Sequence, residues 1–163
     1  AGINSSYAHH LPCRKKISKN EIVLIDMGVE YLRYKSDLTR VFFSGKIPSL
    51  ARKIYAVVIK AQELAINRIK PGVAIKEIDA ASRQYITSKG YGGFFSHNLG
   101  HGIGLEVHEA PNIAPKSDKI LREGMIFTVE PAIYLPARFG IRIEDIVLVT
   151  KKGREVISDA LNK

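Results

Sequence analysis

Two pairs of apolar, β-branched segments, each pair joined by a short polar stretch and each segment carrying an acidic residue, constrain this chain more than any other feature. Residues 21–29, EIVLIDMGV, lead after a few polar residues into SDLTRVFFSG; further on, MIFTVEPAIYL leads into GIRIEDIVLVT. Segments of this composition, separated by turn-forming residues, pair as antiparallel hairpins. A hairpin then decides which acids face one another. If the first turn centres between Tyr31 and Leu32, Asp26 faces Asp37; if the second centres on Ala137, Glu130 faces Glu144. A bulge in either loop shifts that register by one residue.

Directly opposed like charges destabilise a sheet. Two carboxylates about 4 Å apart repel by roughly 4 kcal/mol at an effective dielectric near 20, and the apolar flanks of these acids add a desolvation penalty for ionisation. A proton shared within each pair compensates, as do salt bridges to Arg40 and Arg142. Divalent cations compensate better, because the four carboxylates match the charge of two such ions. Oxygen-rich ligation with one imidazole suits manganese, cobalt, iron or zinc.

The stretch GHGIGLEVHE, Gly100 to Glu109, offers the imidazole. His101 lies between Gly100 and Gly102, where the backbone can turn sharply and bring the ring close to a cluster. His108, followed by Glu109, and His97, four residues before His101, are placed to carry protons or contact a substrate. The spacing of His97 and His101 also fits a helical zinc pair, but Leu99-Gly100 disfavours a helix there.

Between the hairpins, Ile54, Val57, Val58, Ala61, Leu64, Ala65 and Ile69 recur at helical spacing in residues 50–70, and Pro71-Gly72 ends the run. A second helix is expected over residues 75–89 with Ile75, Ile78, Ala81 and Tyr85 on its buried face and Gly90 as its stop. Hairpins with helices over one face make an α+β fold. With 163 residues and 45% hydrophobic content, one domain with one core is expected.

Composition excludes several functions. No apolar run approaches the roughly 18 residues of a membrane span, and the chain start lacks the blocks of a signal peptide. The single cysteine, Cys13, excludes a disulfide framework within the chain and fits a reducing, cytoplasmic setting. The net charge of +9 is spread over scattered lysines without interleaved aromatics, which disfavours nucleic acid as a partner.

The ordered motifs DMG, SDLTR, GHGIGLEVHE, FTVEP and GIRIED resemble the pita-bread metallopeptidases, the family of methionine aminopeptidase, aminopeptidase P and prolidase. The resemblance implies the pita-bread catalytic fold, with Asp26, Asp37, His101, Glu130 and Glu144 holding two divalent ions, manganese or cobalt foremost. Asp37 and Glu144 would bridge the ions, which activate the attacking water. It further implies that His108 assists the tetrahedral intermediate, that His97 lines the pocket, and that His9 in SYAHHLP aids the leaving group. Arg142 is similar to the family's arginine behind the ligands, and Glu109 is expected beside the substrate or just behind the ligands.

GLEVHEAP and VEPAIYLP look more like the proline-specific branch, whose reaction is hydrolysis of the bond preceding proline in an aminopeptidase or dipeptidase substrate. Methionine aminopeptidase is the same-class alternative, and a non-catalytic pita-bread binding module the alternative of another class. Lys116, Lys119 and Arg122 are candidates for holding a dipeptide's carboxylate. Because family members have helices before the first hairpin, the resemblance also implies a catalytic domain incomplete at its N-terminal side. The sheet surface then left open is expected to be covered by a missing segment or a homodimer partner.

Overall fold

A computed structural model describes residues 1–11 and 13–161. The first hairpin pairs β1 (Ile22–Met27) with β4 (Leu38–Phe43), and its tip is a small ladder of β2 (Glu30–Tyr31) and β3 (Tyr34–Lys35). Helices α1 (Ser49–Arg68) and α2 (Ile75–Ser88) follow, then β5 (Gly100–Gly102) and β6 (Glu109–Ile113). The second hairpin comprises β7 (Ile126–Val129), β8 (Ala132–Leu135), β9 (Phe139–Arg142) and β10 (Asp145–Thr150), and β11 (Gly153–Val156) closes the order. Strands β11-β10-β7-β5-β6 form an antiparallel sheet, while β8 and β9 pair separately. The α1 face of Ala51, Ile54, Val58, Ala61 and Ala65 is fully buried against these strands and α2. Among the described residues, no helix is long and apolar enough to cross a membrane.

The second hairpin has the expected register. Val129 pairs with Asp145 in one ladder and Ala132 with Arg142 in the next, so Glu130 falls opposite Glu144 in the gap between them. Pro131 makes that gap. The Ile143 N–H reaches the Pro131 carbonyl at 3.4 Å, but proline has no N–H to return the bond.

The first hairpin departs from the expected register: Asp26 pairs with Thr39 rather than Asp37. Its turn is the two-residue loop Leu32-Arg33, with φ of +49° and +72°, so the centre moves one residue along. A left-handed pair gives the primed turn that matches strand twist, usually built from asparagine or glycine. The shift leaves Asp37 diagonal to Asp26 on the same face, since residues two apart share a face.

Helix α2 is also rotated from expectation. Asp79, Ser82 and Ile86 are buried beside Ile75 and Ile78, whereas Ala81 and Tyr85 are half-buried. Arg83 makes this possible. Its guanidinium pairs with Asp79 at 2.7 Å and donates to the carbonyls of Phe95 and His97, which lets a carboxylate occupy the helix's inner face. On the β1–β4 sheet, Ile25, Met27 and Phe42 remain exposed.

Candidate metal centre

Asp26, Asp37, His101, Glu130 and Glu144 all line one cleft of about 700 Å3. Each carboxylate sits near the end of a ladder: Asp26 late in β1, Asp37 just before β4, Glu130 just after β7 and Glu144 just before β10. At these positions a backbone leaves the sheet, so a polar side chain reaches the cleft without interrupting the apolar core. His101 is the middle of β5. Its flanking glycines serve close packing rather than a sharp turn. A Cβ on Gly100 would stand 1.9 Å from the Thr128 carbonyl oxygen, and one on Gly102 2.3 Å from that of Ala110.

The imidazole of His101 has a determined orientation. Nδ1 is 3.1 Å from the Gly102 carbonyl oxygen, and a carbonyl only accepts, so Nδ1 carries the proton. Nε2 then presents a lone pair, 3.3 Å from Glu130 Oε1 and 3.7 Å from Asp37 Oδ2. Three acceptors converging on one space can hold a cation. One donor atom each from Asp37, His101 and Glu144 also lie within 4.8 Å of one another. Asp26 borders the same cleft but is turned to Arg142, whose Nη2 stands 2.5 Å from Oδ2.

The acids bear the electrostatic signature of this crowding. Burial, reinforced by Asp37 and Asp26 nearby, raises Glu130 to about 7. Burial together with the neighbouring Glu130 and Asp37 pushes Glu144 well above the ordinary carboxylate range, and burial and Asp26 raise Asp37. Burial lowers His101. Every shift favours the form with less charge, so the cup holds its anions poorly until positive charge enters. Four oxygen donors and one bare imidazole nitrogen fit divalent cations.

The expected substrate-side histidines have different surroundings. The His108 ring centroid is 4.1 Å from that of His101, at the cleft's exposed side. His9 also lines the cleft. His97 is more constrained: Nδ1 lies 2.7 Å from the Asn98 carbonyl and Nε2 3.1 Å from the Tyr134 hydroxyl. Nδ1 therefore donates, Nε2 accepts from Tyr134, and the Tyr134 oxygen accepts from Arg142 Nη1 at 2.7 Å. Burial pushes His97 down to about 4. Both of its nitrogens are engaged, so it forms a neutral wall of the cleft rather than a free proton carrier.

Glu109 is not brought into this cleft. Its carboxylate accepts from the Glu106 backbone N–H at 3.2 Å and borders a separate apolar depression with Leu105 and Ile157. Lys116, Lys119 and Arg122 do not line the cleft either; its non-histidine cations are Lys35, paired with Glu30, and Arg142.

Three residues not singled out from the sequence hold these side chains in place. Thr39 Oγ1 donates to Glu144 Oε2 at 2.6 Å and accepts from Arg142 Nε at 3.1 Å. Thr128 plays the matching part for Glu130, donating at 3.2 Å while accepting the His101 N–H at 3.1 Å. Tyr134 links Arg142 to His97. Period-two counting from Glu130 reaches both Thr128 and Tyr134 by way of Ala132, and a one-residue change of turn centre reaches Thr39.

Comparison with known proteins agrees with this geometry. The model of metallopeptidase family M24 matches residues 1–151. The Xaa-Pro dipeptidase of Pyrococcus horikoshii is 43% identical over 153 residues, covering 94% of this chain and 44% of that protein. Among solved structures, the prolidase from Pyrococcus furiosus superposes with a TM-score of 0.93 at 42% identity, over 95% of this chain and 46% of its own. The Xaa-Pro dipeptidase from Bacillus anthracis gives 0.96 at 44% identity, over 99% and 46% respectively. The chain thus shares the pita-bread fold and spans less than half the length of the curated relatives it matches.

Proposed function

The chain belongs to metallopeptidase family M24, and from that membership we propose that it hydrolyses the peptide bond preceding proline, with two divalent ions held by Asp26, Asp37, His101, Glu130 and Glu144. The observation that carries the metal part is the bare His101 Nε2 facing Glu130 and Asp37 oxygens. The substrate part draws on the printed names of the relatives, Xaa-Pro dipeptidase and prolidase.

Bound divalent ions supply Lewis acidity, lowering the pKa of a water and polarising the scissile carbonyl. The chain's own residues supply placement. His108, beside His101 on the open side of the cleft, is positioned to donate to the carbonyl oxygen as negative charge develops there. To His9, which lines the same cleft, this reading gives the protonation of the departing nitrogen. The neutral His97, fixed by Tyr134 and Asn98, presents a wall of constant charge. Met27, Val29 and Val107 give the cleft an apolar side for a pyrrolidine ring, whose tertiary amide has no N–H to satisfy.

Lone Cys13 supports a cytoplasmic setting, and the exposed Ile25, Met27 and Phe42 support a homodimer, which sedimentation velocity tests. The function itself is tested by titrating the chain with manganese and cobalt and assaying Ala-Pro against Met-Ala peptides. Metal uptake with preference for Ala-Pro is expected. Absence of uptake sinks the metal reading, preference for Met-Ala redirects it to methionine aminopeptidase, and uptake without turnover of either points to an incomplete catalytic domain.

A further inference from the structure

We infer that Gln62 is a positioning residue for the Glu130 and Glu144 pair: one buried amide on α1 sets the separation of the two strands at the level of these acids. The inference rests on the metal-binding reading above and adds to it a residue outside the cleft.

Gln62 is fully buried on the apolar face of α1, between Val58 and Ile66. Its Nε2 donates to the Val129 carbonyl at 2.9 Å and to the Ile143 carbonyl at 3.3 Å. Those carbonyls belong to the residues immediately before Glu130 and Glu144. The second is the acceptor that Pro131, lacking an N–H, cannot serve across the hairpin. The amide thus replaces a missing rung of the ladder and also ties it to the opposite strand.

The glutamates' own backbones are not tied to each other. The Glu130 N–H is directed to the Leu99 carbonyl at 2.8 Å, and the Glu144 N–H to that of Thr39 at 3.2 Å. Outward-facing N–H groups are ordinary at a non-hydrogen-bonded pair of an antiparallel ladder, so no backbone rung at this level opposes the spreading that repulsion between the carboxylates drives. A donor shared between the two preceding carbonyls opposes the spreading. A buried amide is retained against an apolar side chain of equal size only where it satisfies such acceptors, and Val58, Ala61 and Ala65 show that the rest of this face is apolar.

The test compares the wild-type chain with Q62M and V58A, titrated with cobalt(II) and read by calorimetry and by the cobalt d–d absorption. Methionine keeps the volume and removes the donor. Val58→Ala loosens the same buried helix face without touching either carbonyl, so it controls for a merely structural effect. Q62M is expected to bind cobalt at least tenfold more weakly and to alter the band's position and intensity. V58A is expected to melt lower while keeping affinity within twofold and the wild-type spectrum. A Q62M spectrum and affinity equal to wild type overturn the inference, as does V58A changing both to the same extent. If Q62M does not fold, Q62N, still polar but one methylene too short to reach both carbonyls, is held to the same outcomes. A wild-type chain that takes up no cobalt overturns the metal reading and this inference with it, whereas wild-type uptake with an unaltered variant overturns the inference alone.

Discussion

Thr39→Val isolates the hydroxyl that joins Glu144 to Arg142. The side chain is fully buried, and valine reproduces its shape, so the change deletes polarity without opening a cavity. Two bonds are lost, the 2.6 Å donation to Glu144 and the 3.1 Å acceptance from Arg142. A hydrogen bond to a charged group contributes about 1.5–3 kcal/mol. The two bonds do not respond equally to metal. In the metal-free cup Glu144 is pushed toward its protonated form, and the donation it receives is an ordinary one. With cations bound Glu144 is a carboxylate, and the donation becomes charge-assisted. The difference between a charge-assisted and an ordinary bond, about 1–1.5 kcal/mol, falls on metal affinity and corresponds to a weakening of roughly 5- to 13-fold. Competition of cobalt between the chain and a chelator measures this directly. A variant that melts lower yet binds cobalt within twofold of wild type refutes the reasoning, because Thr39 would then support the fold alone.

Glu144→Ala should abolish uptake of at least one ion, while His108→Ala should keep uptake and mainly slow turnover; equal metal loss in both would make His108 a ligand. For pH, His97 titrates at about 4 in the fold against about 6.5 when exposed. The unfolded chain therefore binds a proton between those values that the folded chain lacks, and stability is intact above pH 6.5 and falls as pH drops toward 4. Urea unfolding of His97→Gln should lack this part of the acid loss, on the order of 1–3 kcal/mol, and parallel pH curves for wild type and variant would refute it. Glu130 shifts oppositely, up to about 7, so the metal-free fold loses stability as pH rises from about 4.5 through about 7. The gap in Tm between manganese-loaded and metal-free chain should widen from pH 5 to pH 8, and a constant gap would count against the cup's electrostatics.

The two hairpins differ in how much of them the sequence reveals, for a physical reason. In PARFG the loop closes symmetrically on Ala137, with the Arg138 N–H on the Leu135 carbonyl, so counting from the turn puts Glu130 opposite Glu144. In EYLRYK the turn falls on Leu32-Arg33, two side chains that ordinarily avoid left-handed φ. No residue there marks the centre, so Asp26 pairs with Thr39, not with Asp37. The acids of the cleft were legible because repelling carboxylates in apolar strands demand compensation. Their supports were not, because threonine and tyrosine in a strand satisfy β-propensity whether or not they bond anything. Gln62 escaped for a related reason: helical periodicity counts apolar positions, and a buried amide on the apolar face reads as a gap in the pattern. Glu109 follows His108 in sequence but turns to the Glu106 amide: it opens β6, whereas His108 ends the bend before that strand.

The arrangement of the two arginines explains why the cup is left short of positive charge instead of closing into an internal salt-bridge network. Both were available from the sequence to neutralise the acids. Arg142 reaches the cleft and pairs with Asp26 while holding Tyr134 and Thr39. Arg40, adjacent to Thr39 in β4, points the other way: it pairs with buried Asp145 at 2.7 Å and donates to the carbonyls of Glu144 and Leu161. The alternation of strand side chains enforces this division, since Thr39 and Arg40 cannot share a face. Besides the Lys35–Glu30 pair, one guanidinium therefore meets four carboxylates in the cleft, and burial, reinforced by the remaining negative charge, raises Glu130 and Glu144. A substitution bringing a second cation into the cleft, such as Asn112→Lys at an exposed lining position, should lower both acids toward ordinary values while weakening cobalt binding. Tighter binding in that variant would show that something other than uncompensated charge recruits the metal.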